Sequence, residues 1–452
     1  MRLSITLLTL APIGVVFGAA TYDPNEFGGS PTPIGAGARS LGMGGAFVAI
    51  ADDATANTWN PAGMTQLERP EASFTLGYSQ RRTRSDSTSD ARDDAGVDHL
   101  SLVLPFHRGC QQTIGLAWQR QFDFTKGIAF SSAESDSVVT ETRSYEIDQE
   151  GSFATLGLSY AIEPLPGLSF GATLFDWDDD HTFGSTYQKR YRSQTTAIFD
   201  FGIGPQQRVQ TTTDTDNDVS VARGLSTVLG VWWQANPRLT LGLNIKPRYD
   251  LHLRSQEQTT NRVVDEDLTT TPPTLTSTST ATTSETKESV LTYPTSATLG
   301  TAIRFGDLTT LSLDATWTKW DQFSSSSGGT TRSPLASAIQ PSDYRDGLTA
   351  RVGFERIIPF ERFMVVPRVG ALYEETPGVT TSPSVLDPAN VQARMDRYYG
   401  FTLGTSVFRE ALIVDAAIQL RIASGIAGEG ASPNETTTVH ALAARISLAY
   451  LF

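Results

Sequence analysis

Leu239-Thr240-Leu241-Gly242-Leu243-Asn244-Ile245-Lys246-Pro247-Arg248-Tyr249-Asp250-Leu251-His252-Leu253 is the stretch on which the fold turns. Its odd-numbered residues are leucine, isoleucine, proline or tyrosine, and its even-numbered ones are small, polar or charged. Side chains alternate across a strand with period two. Strands of soluble sheets run about 5–6 residues. An apolar stripe kept up over this length therefore predicts a strand with one face to lipid and the other to a polar lumen. Pro247 has no N–H for a ladder and is expected to mark a bulge or kink.

The same alternation recurs on both sides. Leu311, Leu313, Ala315 and Trp317 alternate with Ser312, Asp314, Thr316 and Thr318, and Leu348 to Glu355 and Leu412 to Arg421 behave alike. The chain ends in an alternating run that closes on Phe452. Charged residues fall on the polar face, where a lumen tolerates them; an Arg or Lys turned to lipid near the midplane costs roughly 2–4 kcal/mol. The pattern predicts an all-β, transmembrane antiparallel β-barrel of about 14 strands. They lie near 71–80, 97–105, 112–124, 150–161, 168–178, 223–234, 239–253, 294–305, 308–320, 344–356, 363–374, 397–408, 411–422 and 439–452. Short connections alternate strictly with long ones, as inner turns alternate with outer loops in outer-membrane barrels. The long polar connections, among them 179–222 and the Thr/Ser-rich 254–293, are expected to be irregular outer loops.

Composition narrows the functions. Of 452 residues, 35 are Lys or Arg and 49 are Asp or Glu, a net charge of −14 that argues against nucleic acid as a partner. One cysteine, Cys110, permits no internal disulfide and no cysteine-based zinc cluster. The five histidines carry no metal motif, and no cofactor is expected. His181 stands among Asp178, Asp179 and Asp180, which reads as a solvated charge run rather than a metal or hydrolase site.

The first residues form an export signal: Met1-Arg2, an apolar run from Leu3 to Phe17, then Gly18-Ala19-Ala20 for cleavage. The run is shorter than the roughly 20 residues of a spanning helix. The expected organisation is a signal peptide over 1–20, an N-terminal hatch of short helices and turns over 21–70, and the barrel over 71–452. The hatch segment holds the Gly-rich run 35–45, then Ala51-Asp52-Asp53 and Asn60-Pro61-Ala62-Gly63. Its glycines suit tight turns. Asp52 and Asp53 are expected to bind backbone N–H groups, and Asn60-Pro61 to open a turn. A dinucleotide loop would need a preceding strand and a βαβ unit, and neither is present.

Those residues resemble the FadL/TodX family of outer-membrane transporters for hydrophobic compounds. Tyr293-Pro294, Trp317-Thr318-Lys319-Trp320-Asp321-Gln322-Phe323, Tyr344-Arg345-Asp346-Gly347 and Glu374-Glu375-Thr376-Pro377 extend the likeness through the second half. The resemblance implies a monomer in the bacterial outer membrane, in contact with lipid and lipopolysaccharide. The hatch would lie inside the lumen, and long-chain fatty acids or hydrocarbons would be released sideways beside a kinked third strand. Gly115 is the candidate for that kink. Phe47, Trp59 and Met64 are candidates for the hatch side of the ligand path, and Phe122, Phe124 and Phe130 for its mouth; for each, ordinary packing is the competing reading. Among Lys246, Arg248, Arg304, Arg351 and Arg421 the sequence does not choose a carboxylate partner. A similar Gly-rich, Asp-Asp, Asn-Pro-Ala-Gly start occurs in PorV-like proteins, so a component for protein secretion or surface attachment is the alternative function.

Overall fold

A computed structural model describes residues 32–84, 89–135, 138–200, 206–336, 338–380, 392–426 and 437–452. The expected signal peptide lies outside the described residues. The strands close into a 14-strand antiparallel barrel. In chain order they are β1 (Glu71–Arg84), β2 (Ser89–His107), β3 (Gln111–Asp123, continued by Lys126–Ser135), β4 (Val139–Leu165) and β5 (Leu168–Asp176, continued by Thr186–Phe199). Next come β6 (Gln207–Asn236), β7 (Leu239–Lys246, continued by Tyr249–Asp267), β8 (Thr274–Tyr293, continued by Ser296–Phe305) and β9 (Thr309–Thr318, continued by Ser324–Ser327). The last five are β10 (Gly347–Arg356), β11 (Met364–Thr380), β12 (Gln392–Arg409), β13 (Leu412–Ile426) and β14 (Thr437–Leu451). The ring shuts where β1 pairs with β14 from Glu71↔Leu451 to Arg84↔Thr438. Closure pairs the first strand with the last, as a sheet that persists in hydrocarbon requires.

Alternation becomes two surfaces. On β2, Leu100, Leu102, Leu104 and Phe106 are 42%, 39%, 38% and 38% exposed, while Val103 and Ser101 between them are buried. The outward set forms an apolar band around the barrel and the inward set meets the hatch.

Two expectations need correction. First, 239–253 is not one continuous strand. β7 breaks at Pro247-Arg248, and the pairing with β6 skips a residue there: Leu229 faces Ile245, but Gly224 faces Leu251. An odd offset turns every later side chain to the other face. Leu239, Leu241, Leu243 and Ile245 point outward, whereas Leu251 and Leu253 are buried inside the barrel with Tyr249 packed against them. Second, the long connections are largely strand. Leu251–Asp267 pairs along its length with β6 and β8, leaving 268–273 as the turn. The Thr/Ser run has no apolar period to announce it, but β-branched threonine suits an extended backbone. Cross-strand hydroxyl pairs such as Thr260–Thr282 at 3.1 Å link the sheet.

Candidate functional site: a seated hatch beneath an aromatic cluster

Residues 32–70 lie within the lumen as turns and three short helices, Ala38–Gly42, Ala56–Trp59 and the 3₁₀ turn Pro61–Gln66. The family-like motif builds this shape. The Asn60 side-chain oxygen accepts from Ala62 N at 3.2 Å and so caps the 3₁₀ turn, with Pro61 at its first position. The Asn60 amide nitrogen donates to Val48 O (2.8 Å) within the hatch and to Val231 O (3.0 Å) on the wall. Asp53 accepts from the Thr55 N–H and hydroxyl at 2.9 and 2.6 Å. Asp52 instead takes Arg39 at 2.6 Å, and Arg39 also reaches Glu355 at 3.4 Å. Ala62 is buried, and Gly63 leaves no space for a Cβ beside Ala51 O.

The wall meets the hatch with glycine. A Cβ on Gly171 would strike Pro61 and Ala62; on Gly230, Asn60; on Gly242, Val48; on Gly300, Ala49 N at 2.9 Å; on Gly353, Met43; on Gly370, Gly44; and on Gly404, Gly42 Cα at 2.9 Å. Several are direct register partners: Gly171↔Gly230, Gly242↔Gly300 and Gly353↔Gly370. They form a collar on which the hatch backbone rests. Polar lumen side chains satisfy that backbone. Asp314 accepts from Phe47 N and Val48 N at 2.8 and 3.0 Å, Trp232 donates to Ala49 O at 2.9 Å, Thr402 to Gly42 O at 2.9 Å and Thr173 to Asn57 O at 2.6 Å.

Outward of the hatch the lumen is filled by side chains. Phe122, Phe124, Phe153, Trp177, Tyr187, Leu251, Leu291, Tyr293, Trp320, Phe323 and Tyr344 belong to one buried cluster. Phe122 stacks between Tyr293 (ring centroids 4.5 Å apart) and Trp177 (5.8 Å), and Phe124 stacks on Tyr187 at 4.4 Å. Strand interruptions deliver these residues. The break at Pro247-Arg248 admits Tyr249, the break at 294–295 follows Tyr293, and the turn Trp320–Gln322 carries Trp320 and Phe323 inward. Beside the cluster, at the outer rim, lies a cavity of about 300 Å³ lined by Tyr344, Ala393 and Met395 with Arg345, Arg394 and Arg397.

The sequence-chosen residues thus separate. Phe47 and Met64 are fully buried in the hatch core and Trp59 packs against it, its indole N–H donating to Ala36 O at 2.9 Å. Phe122 and Phe124 sit in the outer cluster; Phe130 lies in the continuation of β3, with its side chain outside the described set. Gly115 lies away from the register slip of β3. It pairs regularly with Val103 and Ser159, below Met64, while the register slips between Arg120 and Phe122 and the strand breaks after Asp123. Of the candidate cations, Arg351 donates to the Thr316 hydroxyl at 2.9 Å, Arg421 pairs with Glu374, Arg248 is exposed 3.8 Å from an exposed Asp250, and Arg304 is exposed near the inner turn. His181 pairs with Asp176 at 2.8 Å on the surface. Among the described residues no group of three or more His, Cys, Asp or Glu is placed to hold a metal. The sequence reading missed Trp177, Tyr187, Tyr249 and the glycine collar. Glycines at lumen-facing positions of consecutive strands were the available signal.

No curated protein sequence matches the chain. Solved structures do. A FadL homologue from Pseudomonas aeruginosa superposes with a TM-score of 0.56 at 16% identity, covering 94% of this chain and 100% of that one. The CymD monoaromatic hydrocarbon channel gives 0.53 at 15%, over 93% and 98%. The toluene transporter TodX of Pseudomonas putida gives 0.52 at 13%, over 92% and 99%. At these identities the likeness speaks for the fold. The family described as Outer membrane protein transport protein (OMPP1/FadL/TodX) matches residues 36–420, from the hatch helix to β13, and the chain belongs to that family of outer-membrane transport channels.

Proposed function

We propose that the chain carries hydrophobic molecules, long-chain fatty acids or hydrocarbons, passively from the cell exterior into the outer membrane, as a channel and not an enzyme. The observation that carries this reading is the buried aromatic cluster, a large apolar surface inside an otherwise polar bore, with the hatch directly inward of it. A greasy molecule that enters at the outer cavity is held by the cluster and stopped by the hatch. Straight passage into the periplasm would forfeit its apolar transfer energy. For a chain of about fifteen methylenes that is roughly 12 kcal/mol, at about 0.8 per CH₂. Sideways release into lipid avoids most of this loss.

The exit belongs between β2 and β3, where the ladder stops at His99↔Gln119 although both strands continue outward. Phe122 and Phe124 form the mouth side of the path. Phe47, Trp59 and Met64 act through the seating of the hatch, which comprises residues 21–70 once 1–20 are removed. The protein works as a monomer, with lipid and lipopolysaccharide around its outer band. Related structures are described as toluene transporters and monoaromatic hydrocarbon channels, which makes small aromatics a necessary arm of the test. Cells lacking their own uptake channel and expressing the chain should accumulate labelled oleate or toluene faster than cells without it. Equal rates with every probe would overturn the proposal, and co-purification with a secretion complex would favour the alternative role.

A further inference from the structure

Toward its outer end the wall stops being a closed ring. β8 pairs on one flank with the continuation of β7 all the way from Tyr249↔Tyr293 to Asp267↔Thr274. Its other flank carries β9 only at Val290, Leu291 and Thr292, opposite Ser326, Ser325 and Ser324, and the Ser327 hydroxyl reaches the Glu288 carbonyl at 3.1 Å. Beyond that point no described strand pairs with this flank, and β10 starts only at Gly347. Every residue from Thr274 to Thr286 is exposed, on both faces of the sheet. The pairing with β7 skips Thr276, between Asp265↔Ser277 and Glu266↔Leu275, and is regular from Ser277 to Thr286. At about 3.3 Å per residue the regular flank is roughly 30 Å long.

Exposed edges of this kind are templates for a further strand, and proteins ordinarily blunt them with proline, lysine, bulges or a covering element. Ser277–Thr286 has no proline, no lysine and no register shift, and Glu285 is its single charge. The residues along the edge say what would fit it. Turned end for end about Ala281, the stretch sets Thr280 opposite Thr282, Ser279 opposite Thr283, Thr278 opposite Ser284 and Ser277 opposite Glu285. Hydroxyl meets hydroxyl, as it already does within the wall at Thr260–Thr282 and Thr215–Thr259, both 3.1 Å. Glu285 meets a serine, so a chain with a net charge of −14 offers its own copy a segment that does not repel it.

Symmetry decides where that copy stands. Strands of membrane barrels tilt by about 35–45°. Two copies in one membrane are related by an axis along the membrane normal. Their edges would run the same way and cross at about twice the tilt, which no ladder accommodates. Two copies in facing membranes are related by an axis through the sheet, which reverses the strand and keeps it in line at any tilt. The result is an antiparallel pair, the arrangement in which β7 and β8 already lie.

We propose that the free flank of β8, Ser277–Thr286, is a docking edge for the same flank of a second copy anchored in a facing outer membrane, paired antiparallel about Ala281, and that the protein thereby joins two membranes. The inference stands apart from uptake. One such ladder is short, but many copies on two apposed surfaces engage together, and linked contacts hold far more firmly than single ones.

Two populations of phosphatidylcholine vesicles carrying the purified protein test this, one with a donor lipid dye and one with an acceptor. Energy transfer should rise on mixing when both populations carry the protein and stay at baseline when either is empty. Thr278→Lys with Ser284→Lys sets like charges opposite each other in the paired edges, and so does Thr278→Glu with Ser284→Glu. Both positions are exposed, so heat-modifiable mobility should be normal. Each double variant mixed with itself should fall to baseline, and the lysine variant mixed with the glutamate variant should recover the wild-type signal. No rise with wild type, a rise against empty vesicles, or self-tethering by either double variant would overturn the docking edge. Failure of the mixed variants to recover would overturn the pairing about Ala281. In a Cys110→Ser background, a short thiol cross-linker should join Ala281→Cys copies only after the vesicles meet. Cross-linking on vesicles kept apart would place the partner in the same membrane and overturn the facing arrangement.

Discussion

The lumen holds two regions built on opposite principles. At the collar, the wall is stripped to glycine and the contact is backbone to backbone, fixed by hydrogen bonds from Asp314, Trp232, Thr402 and Asn60. In the outer cluster the wall sends in its largest side chains, and stacking rather than hydrogen bonding joins them. A contact defined by missing atoms tolerates no addition, whereas one made of flat rings tolerates loss and rearrangement. This suits a fixed stopper below and an adaptable apolar surface above.

The comparison can be broken most forcefully at the collar. Gly171→Val places a branched side chain where Pro61 and Ala62 now lie. Overpacking of this kind costs typically 1–3 kcal/mol, occasionally more, and the hatch is expected to lift before the barrel opens. Planar-bilayer recording should show a new ionic conductance while heat-modifiable mobility stays normal. The next largest effect is expected from Asp314→Ala. It strands the amides of Phe47 and Val48, at roughly 1–3 kcal/mol for each unsatisfied group. Limited proteolysis from the inner face should cut the hatch sooner than in wild type. In the cluster, Phe122→Ala should weaken binding of a fluorescent fatty acid about tenfold, near 1.4 kcal/mol, and leave hatch proteolysis unchanged. A variant that loosened the hatch as much as Asp314→Ala would erase the distinction between the two regions.

The smallest effect lies outside both. The hydrogen bond that His181 donates to Asp176 raises the pKa of this exposed histidine above its ordinary value, with help from the Asp178 and Asp180 charges. The pair therefore contributes fully below the unfolded-state pKa of histidine and is lost as pH rises through the raised value. Asp176→Asn should lower the His181 midpoint in an NMR titration and leave uptake unaltered.

Much of this was legible in the sequence, and the failures have a physical pattern. Period-two alternation located the membrane crossings because lipid imposes it, and the Asn60-Pro61 turn was readable because its geometry is local. Tyr249, Leu251 and Leu253 were assigned to lipid because an apolar residue scores alike on either face. Only the pairing partner reveals the slip at Pro247 that turns them inward. The collar left only a trace for a related reason: glycines recur at lumen-facing positions of consecutive strands, but register across strands is what sets Gly171 beside Gly230 and Gly242 beside Gly300. The register slip of β3 falls at Gln121, away from Gly115, where no residue type announces it.

Several strands are far taller than the bilayer requires. β6 runs for 30 residues, about 100 Å at roughly 3.3 Å each, where about ten suffice to cross hydrocarbon. Hydropathy is thus a gauge of the membrane and not of the protein. It sounds the depth of the oil and falls silent at the waterline, above which a hydroxyl-rich wall continues on paired backbone and cross-strand hydroxyls. On the uptake route proposed above, a solute bound for lipid first meets that hydroxyl-rich sheet.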